Sequence, residues 1–120
     1  MTGVGRNKFL EGRQILVLED ELLAALDLAS MVQDLGAVVI GPVGTLREAE
    51  QLAGETVLHG AILDVKLNEN TSLPLAGQLL DRGIPVILAT GYTSNMLPER
   101  FAHIRMARKI KSLPAQAALR

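Results

Sequence analysis

The chain of 120 residues has no cysteine and no tryptophan, and aromatic residues make up only 2% of it. Without cysteine there is no disulfide and no thiolate-bound metal. With so few aromatics, a core must be built from Leu, Ile, Val, Ala and Met, and a hydrophobic fraction of 48% supplies enough of them. Charge of one sign is missing too. The net charge is −1, which gives no support for a strongly basic nucleic-acid surface. No apolar run approaches the roughly 18 residues of a membrane span. The opening "MTGVGRNKFLEGRQ" lacks the apolar middle of a signal peptide. These absences lead to the expectation of a cytoplasmic protein with no membrane insertion and no direct nucleic-acid contact. The length suits one domain. Residues 1–13 read as a partly disordered lead-in and 14–120 as the domain.

What is present is an alternation. "QILVLEDE" (14–21) starts as a short apolar strand and ends in three acids. "ELLAALDLASMVQDLG" has helical spacing, with Leu22, Leu26, Ala29 and Leu35 near one face and Leu23, Met31 and Val32 broadening it. "AVVIGPV" reads as a second strand, ended by Gly41 and Pro42. In "TLREAEQLAG", Thr45 and Glu48 form a capping-box pattern, and Gly54 is the expected stop. "HGAILD" is a third strand and "PLAGQLLDRG" a third helix. "IPVILAT" is a fourth strand and "SNMLPERFA" a short fourth helix. "HIRMARK" is a weak fifth strand, and "SLPAQAALR" a last helix. Five β-to-α alternations with continuous apolar strands imply a parallel sheet with helices on both faces.

In an open parallel sheet, ligands sit beyond the carboxyl ends of the strands. The first strand ends in Glu19 and Asp20, and the third in Asp64. The fourth ends in Thr90 before Gly91, and the fifth near Lys109. Taken singly, each has an ordinary explanation: helix capping for Glu19, Asp20 and Thr90, a turn for Asp64, a solvated charge for Lys109. Their shared place at one sheet edge favours chemistry. Two carboxylates about 4 Å apart repel by roughly 1 kcal/mol in water and about 4 kcal/mol at a protein-surface dielectric. Three acids therefore call for a cation, and an all-oxygen set suits Mg²⁺. His59 and His103 lie away from these ends and read as a strand-entry and a loop residue. Beside a metal, Asp64 can act as a nucleophile and take a phosphoryl group as an acyl phosphate.

The strings "ILVLEDE", "AILDV", "ILATGY" and "RK" resemble, in order and across almost the whole chain, the receiver domains of two-component response regulators. "LDVKLNENTSLP", "RGIPVILATGY" and "LPERF" resemble the stand-alone subgroup with a Phe-Ala-Thr-Gly-Tyr-type motif, associated with HWE-type histidine kinases. Leu88 stands in the Phe position. The resemblance implies a flavodoxin-like (βα)5 fold with strand order 2-1-3-4-5. It implies Asp64 as phosphoacceptor, with Mg²⁺ held by Asp20 directly, by Glu19 largely through water, by Asp64 and by the Lys66 carbonyl. Thr90 and Lys109 would bind phosphoryl oxygens, and the N–H groups of Val65 and Gly91 would be further donors. The donor would be a histidine kinase or phosphotransfer protein, and the output an unknown protein. The chain departs from the family pattern after Lys109, where Ile110 replaces the usual proline, so Lys111 is an alternative cation. Met106 sits where an aromatic switch residue is usual, and Tyr92 is a candidate to replace it. Lys66 and Tyr92 are expected to flank the phosphoryl group and to set the lifetime of the acyl phosphate.

The leading expectation is a phosphorylation-dependent signalling switch, not a classical enzyme, that assists its own phosphorylation and dephosphorylation. Two readings stand beside it: a phosphate-independent binding module on a degenerate receiver fold, and a receiver cut from a longer regulator. A dehalogenase-type phosphatase needs a second acid two residues after the nucleophile, where Lys66 stands. A nucleotide or flavin site needs a Gly-rich first loop, where "LEDELL" stands.

Overall fold

The computed structural model describes residues 10–67 and 70–89, and the backbone of a strand at 105–107. The expected fourth and last helices lie outside the described residues. The elements are β1 (Gln14–Leu18), α1 (Leu22–Asp34), β2 (Val38–Val43), α2 (Leu46–Glu55), β3 (Gly60–Asp64), β4 (Lys66–Leu67), β5 (Asn70–Thr71), α3 (Leu73–Asp81), β6 (Val86–Ala89) and β7 (Arg105–Ala107). Five strands form one parallel sheet in the order β2-β1-β3-β6-β7. Setting aside the small β4–β5 hairpin, this is the expected 2-1-3-4-5 arrangement, and the fold is the flavodoxin-like receiver fold.

Strand side chains alternate between two faces, and each face has its own core. Ile15, Val17, Ile62 and Ile87 pack with Leu28 and Val32 of α1. Leu16, Leu18, Leu63 and Leu88 pack on the other side with Ala49 and Ala53 of α2 and Leu75 and Leu79 of α3. The continuous apolar runs of β1, β3 and β6 follow from burial on both sides.

Three expectations about the elements need correction. Leu22, Leu23 and Leu26 were placed toward the buried face of α1, but they are 69%, 73% and 51% exposed. Ala29, Val32 and Leu35 are buried as expected, and Ala25 and Leu28 complete the inner face in place of those leucines. Asp27, Ser30, Gln33 and Asp34 recur at helical spacing on the side of Leu23 and Leu26 and are exposed with them, and the smaller Ala25 and Ala29 are turned to the sheet. Second, β2 does not stop at Gly41-Pro42. It runs to Val43 through a register shift opposite Leu16 and Leu18, which an edge strand tolerates. Gly41 has φ +107, and a Cβ there would lie 2.9 Å from the Val43 nitrogen and 3.1 Å from the Val17 oxygen. Third, Gly54 sits inside α2, which continues to Glu55. Thr45 caps the helix as expected: the Glu48 N–H donates to Thr45 Oγ1 at 3.1 Å, and the Glu48 carboxylate turns back to that hydroxyl, which donates to Glu48 Oε1 at 3.0 Å.

Residues 10–13, within the expected lead-in, join the folded body. The Leu10 N–H donates to the Leu35 carbonyl (2.8 Å) and the Gly12 N–H to the Gly36 carbonyl (3.0 Å). No described helix is long and apolar enough to cross a membrane.

Candidate functional site

Strand order decides which acids meet. β1 and β3 are neighbours, with Leu18 opposite Leu63. Continuing that register by one residue sets Glu19 beside Asp64. Adjacent strands lie about 4.8 Å apart, so acids two strands apart would sit at roughly twice that distance. One carboxylate oxygen from each of Glu19, Asp20 and Asp64 lies within 4.8 Å of the others. The fold thus brings together the three acids expected to form the site.

Their burial differs. Glu19 and Asp64 are each only 2% exposed, whereas Asp20 is partly exposed. Glu19 Oε2 accepts the Glu21 N–H at 2.9 Å, which lies just before α1, and no side chain caps the first turn of that helix. The Glu19 N–H donates to the Val43 carbonyl at 2.9 Å, tying the end of β1 to the end of β2. Gly44 lies against this corner, and a Cβ on it would sit 3.8 Å from the Asp20 Cα.

Beyond Asp64 the chain makes a turn that spacing did not reveal. The Val65 N–H donates to the Ala89 carbonyl at 3.3 Å, and the Ser72 N–H donates to the Val65 carbonyl at 2.9 Å. Lys66 then pairs with Thr71 and Leu67 with Asn70 in an antiparallel hairpin. Hydrogen-bonded and non-hydrogen-bonded pairs alternate in such a ladder. Since Ser72 bonds Val65, the Lys66–Thr71 pair is a non-bonded one. The backbone N–H and C=O of Lys66 therefore point away from β5. Two residues, Asn68 and Glu69, separate the hairpin strands, without the glycine that marks such a turn in a sequence. Sequence reasoning considered the Lys66 carbonyl but not its N–H, which also turns away from β5. Thr90, Gly91, Tyr92, Lys109 and Lys111 lie outside the described residues.

The donor set is oxygen-only and dense in negative charge. It suits a hard divalent cation that retains water, and it has no ligand of the kind that favours soft metals.

No family model matches the chain. Solved structures and curated relatives do. SdrG is similar in two solution structures. The BeF3-activated conformation, from Pseudomonas melonis Fr1, has 32% identity and a TM-score of 0.71, covering 87% of this chain and 89% of that one. The other, from Sphingomonas melonis Fr1, has 31% identity and a TM-score of 0.74, covering 88% of each. The phyllosphere-induced regulator PhyR of Methylorubrum extorquens is 42% identical over 91 residues, which is 73% of this chain and 32% of PhyR. The transcriptional regulatory protein PdtaR of Mycobacterium tuberculosis is 32% identical over 89 residues, 73% of this chain and 43% of PdtaR. The chain thus spans less than half the length of these curated relatives. At 23% identity and a TM-score of 0.67, the response regulator TrrA of Thermotoga maritima, solved with Mg²⁺-BeF, shares the fold over 84% of this chain and 88% of that one. With its acidic site at the carboxyl edge of the sheet, and with most of SdrG covered at above 30% identity, the chain belongs to the receiver domains of two-component response regulators.

Proposed function

We propose that Asp64 accepts a phosphoryl group from a phosphohistidine of a histidine kinase or phosphotransfer protein. The P–N bond of the donor breaks as a P–O bond to the Asp64 carboxylate forms, giving an acyl phosphate. The observation that carries this reading is the meeting of Glu19, Asp20 and Asp64 within 4.8 Å. Bound there, Mg²⁺ would neutralise charge on the carboxylates and the phosphoryl oxygens. Asp20, Asp64 and the Lys66 carbonyl would hold it, with Glu19 acting largely through water. Positioning and charge neutralisation do most of the catalysis in phosphoryl transfer, so the domain assists its own phosphorylation without being a classical enzyme. Thr90, Gly91 and Lys109 complete the phosphoryl site in this reading. The Val65 N–H takes part once it leaves the Ala89 carbonyl, and the Lys66 N–H is a second donor on the same turn. The Thr90-Gly91-Tyr92 string supports placing the chain in the stand-alone subgroup paired with HWE-type kinases.

The donor has to reach a carboxylate that is almost wholly buried, so its surface must close over the rim. Leu22, Leu23 and Leu26 on the first turns of α1 stand next to Asp20 in the chain and are exposed. Three outward leucines in two turns give the donor an apolar footing beside the acids. The output is a protein–protein contact that differs between the two phosphorylation states.

Incubation with Mg²⁺ and acetyl phosphate, read by intact mass, tests this. A gain of one phosphoryl group that is absent in Asp64→Ala is the expected result. No gain under conditions that modify a known receiver, and none from a histidine kinase either, would leave the phosphate-independent module as the better reading.

A further inference from the structure

The amino edge of the sheet, opposite the acids, carries a second concave feature. It is a groove of about 490 Å³ where Leu10 and Arg13 meet the turns that enter β3 and β6. Its floor is apolar, with Ile15, Leu58 and Ile84, the last two 6% and 7% exposed. Its polar side chains are Arg13, His59 and Arg82, and no carboxylate is among the lining residues.

Each of these three groups has donors to spare. Arg82 Nη1 donates to the Ala53 carbonyl at 3.0 Å. That bond anchors the guanidinium, and the rest of its fork has no partner among the described residues. His59 Nδ1 accepts the Gln14 N–H at 2.9 Å. A ring nitrogen that accepts carries no proton, so the neutral imidazole has its N–H at Nε2, pointing away from that bond. Among the described residues, neither Arg13 nor Arg82 has an ion pair. Glu55 lines a neighbouring depression that shares Arg82, but its Oε2 accepts from Gln51 Nε2.

An apolar floor beneath two unpaired guanidinium groups and an imidazole N–H matches one kind of ligand. Its head is a planar anion, which a guanidinium fork meets with two parallel bonds. Its body is apolar and fills the floor. The volume lies within the usual range for small-ligand sites. We propose that this groove binds a small amphiphilic carboxylate, at a site separate from the acids and independent of phosphorylation.

The test is an amide chemical-shift titration of the whole chain with sodium octanoate, with octanol and octylamine as probes of the same length. Octanoate is expected to shift His59, Gly83 and Ile84 while leaving Asp20 and Asp64 in place, and octylamine is expected to shift none of them. Arg82→Gln and Arg13→Gln should each weaken octanoate binding about tenfold, the loss of a charge-assisted contact. Arg13 makes no side-chain bond to the described fold, so Arg13→Gln keeps the test valid should Arg82→Gln unfold. Acetyl phosphate labelling of Asp64 should be unchanged in Arg13→Gln. Equal shifts from octanol would overturn the proposal by showing a merely apolar depression. So would the absence of shifts with octanoate.

Discussion

Asp20→Asn should make the protein more stable in the absence of divalent cations. Asp20 belongs to two of the three carboxylate pairs, all within 4.8 Å. At that distance one pair repels by about 0.9 kcal/mol at the dielectric of water and about 3.5 kcal/mol at an effective dielectric of 20. Asp20 is partly exposed, so the screened end of the range applies, and two pairs give about 2 kcal/mol. Against this stands the attraction of Asp20 to the amino end of α1, about 0.3–1 kcal/mol. The net gain on removing the charge is about 1–2 kcal/mol. At roughly 4 °C per kcal/mol for a domain of this size, the melting temperature rises by about 4–8 °C. The assay is thermal unfolding by circular dichroism in EDTA at low salt, repeated with Mg²⁺. With Mg²⁺ at about 100 times its Kd, the wild type gains about 2.7 kcal/mol. The variant, having lost a ligand, gains much less, so the order of melting temperatures closes or reverses. Added NaCl should narrow the gap in EDTA, because exposed charges are screened within about 10 Å at 0.1 M. A variant that melts below the wild type in EDTA would refute the reasoning, and so would an equal response to Mg²⁺.

Three further outcomes follow from single positions. Ser72 is fully buried, and its hydroxyl has no partner among the described residues. An unsatisfied buried group costs about 1–3 kcal/mol, so Ser72→Ala should raise stability by about 1 kcal/mol in a urea titration, and a loss would show that the hydroxyl is bonded. Gly41→Ala should cost about 2–3 kcal/mol by the same measurement, because φ +107 and two backbone atoms close to the new Cβ oppose it together. Leu23→Glu should slow phosphotransfer from a histidine kinase at least tenfold while labelling by acetyl phosphate stays unchanged. Equal slowing of both would place Leu23 in the chemistry rather than in docking.

The sheet and the acidic cluster were legible in the sequence because each rests on a local rule. Apolar runs of four or five residues that end in acids mark buried parallel strands, and Leu16, Leu18, Ile62 and Leu63 are all 0% exposed as such runs require. Thr45 and Glu48 announced the start of α2 through chemistry confined to four residues. The features that escaped carried competing signals or very short ones. With leucine or alanine at seven of its thirteen positions, α1 has leucines on both sides, and the polar stripe Asp27, Ser30, Gln33 and Asp34 was the signal that the face through Leu28 and Val32 packs on Ile15, Val17 and Ile62. Gly54 looked like a stop, yet the helix persists one residue further, because a glycine ends a helix only where the chain needs a left-handed residue. The hairpin after Asp64 was hidden by its brevity: two residues per strand carry no periodicity.

That hairpin matters to how a phosphoryl group on Asp64 would be felt elsewhere. Two bonds meet at Val65. Its carbonyl accepts the Ser72 N–H at 2.9 Å, a firm bond, while its N–H donates to the Ala89 carbonyl at 3.3 Å, a long one. An anionic phosphoryl oxygen is a stronger acceptor than a neutral carbonyl. Competing for the Val65 N–H, it would displace the weaker of the two bonds and leave the hairpin side intact. The carbonyl released belongs to Ala89, the last residue of β6 and the one joined to Thr90. Charge placed on β3 would thus reach the carboxyl end of β6 at Ala89, through a bond already near its limit. The rest of the β3–β6 ladder, Ala61 to Leu63 against Val86 to Leu88, stays in register as the frame. A switch needs one joint that yields and a frame that does not, and the lengths of these two bonds indicate which part of the turn is which.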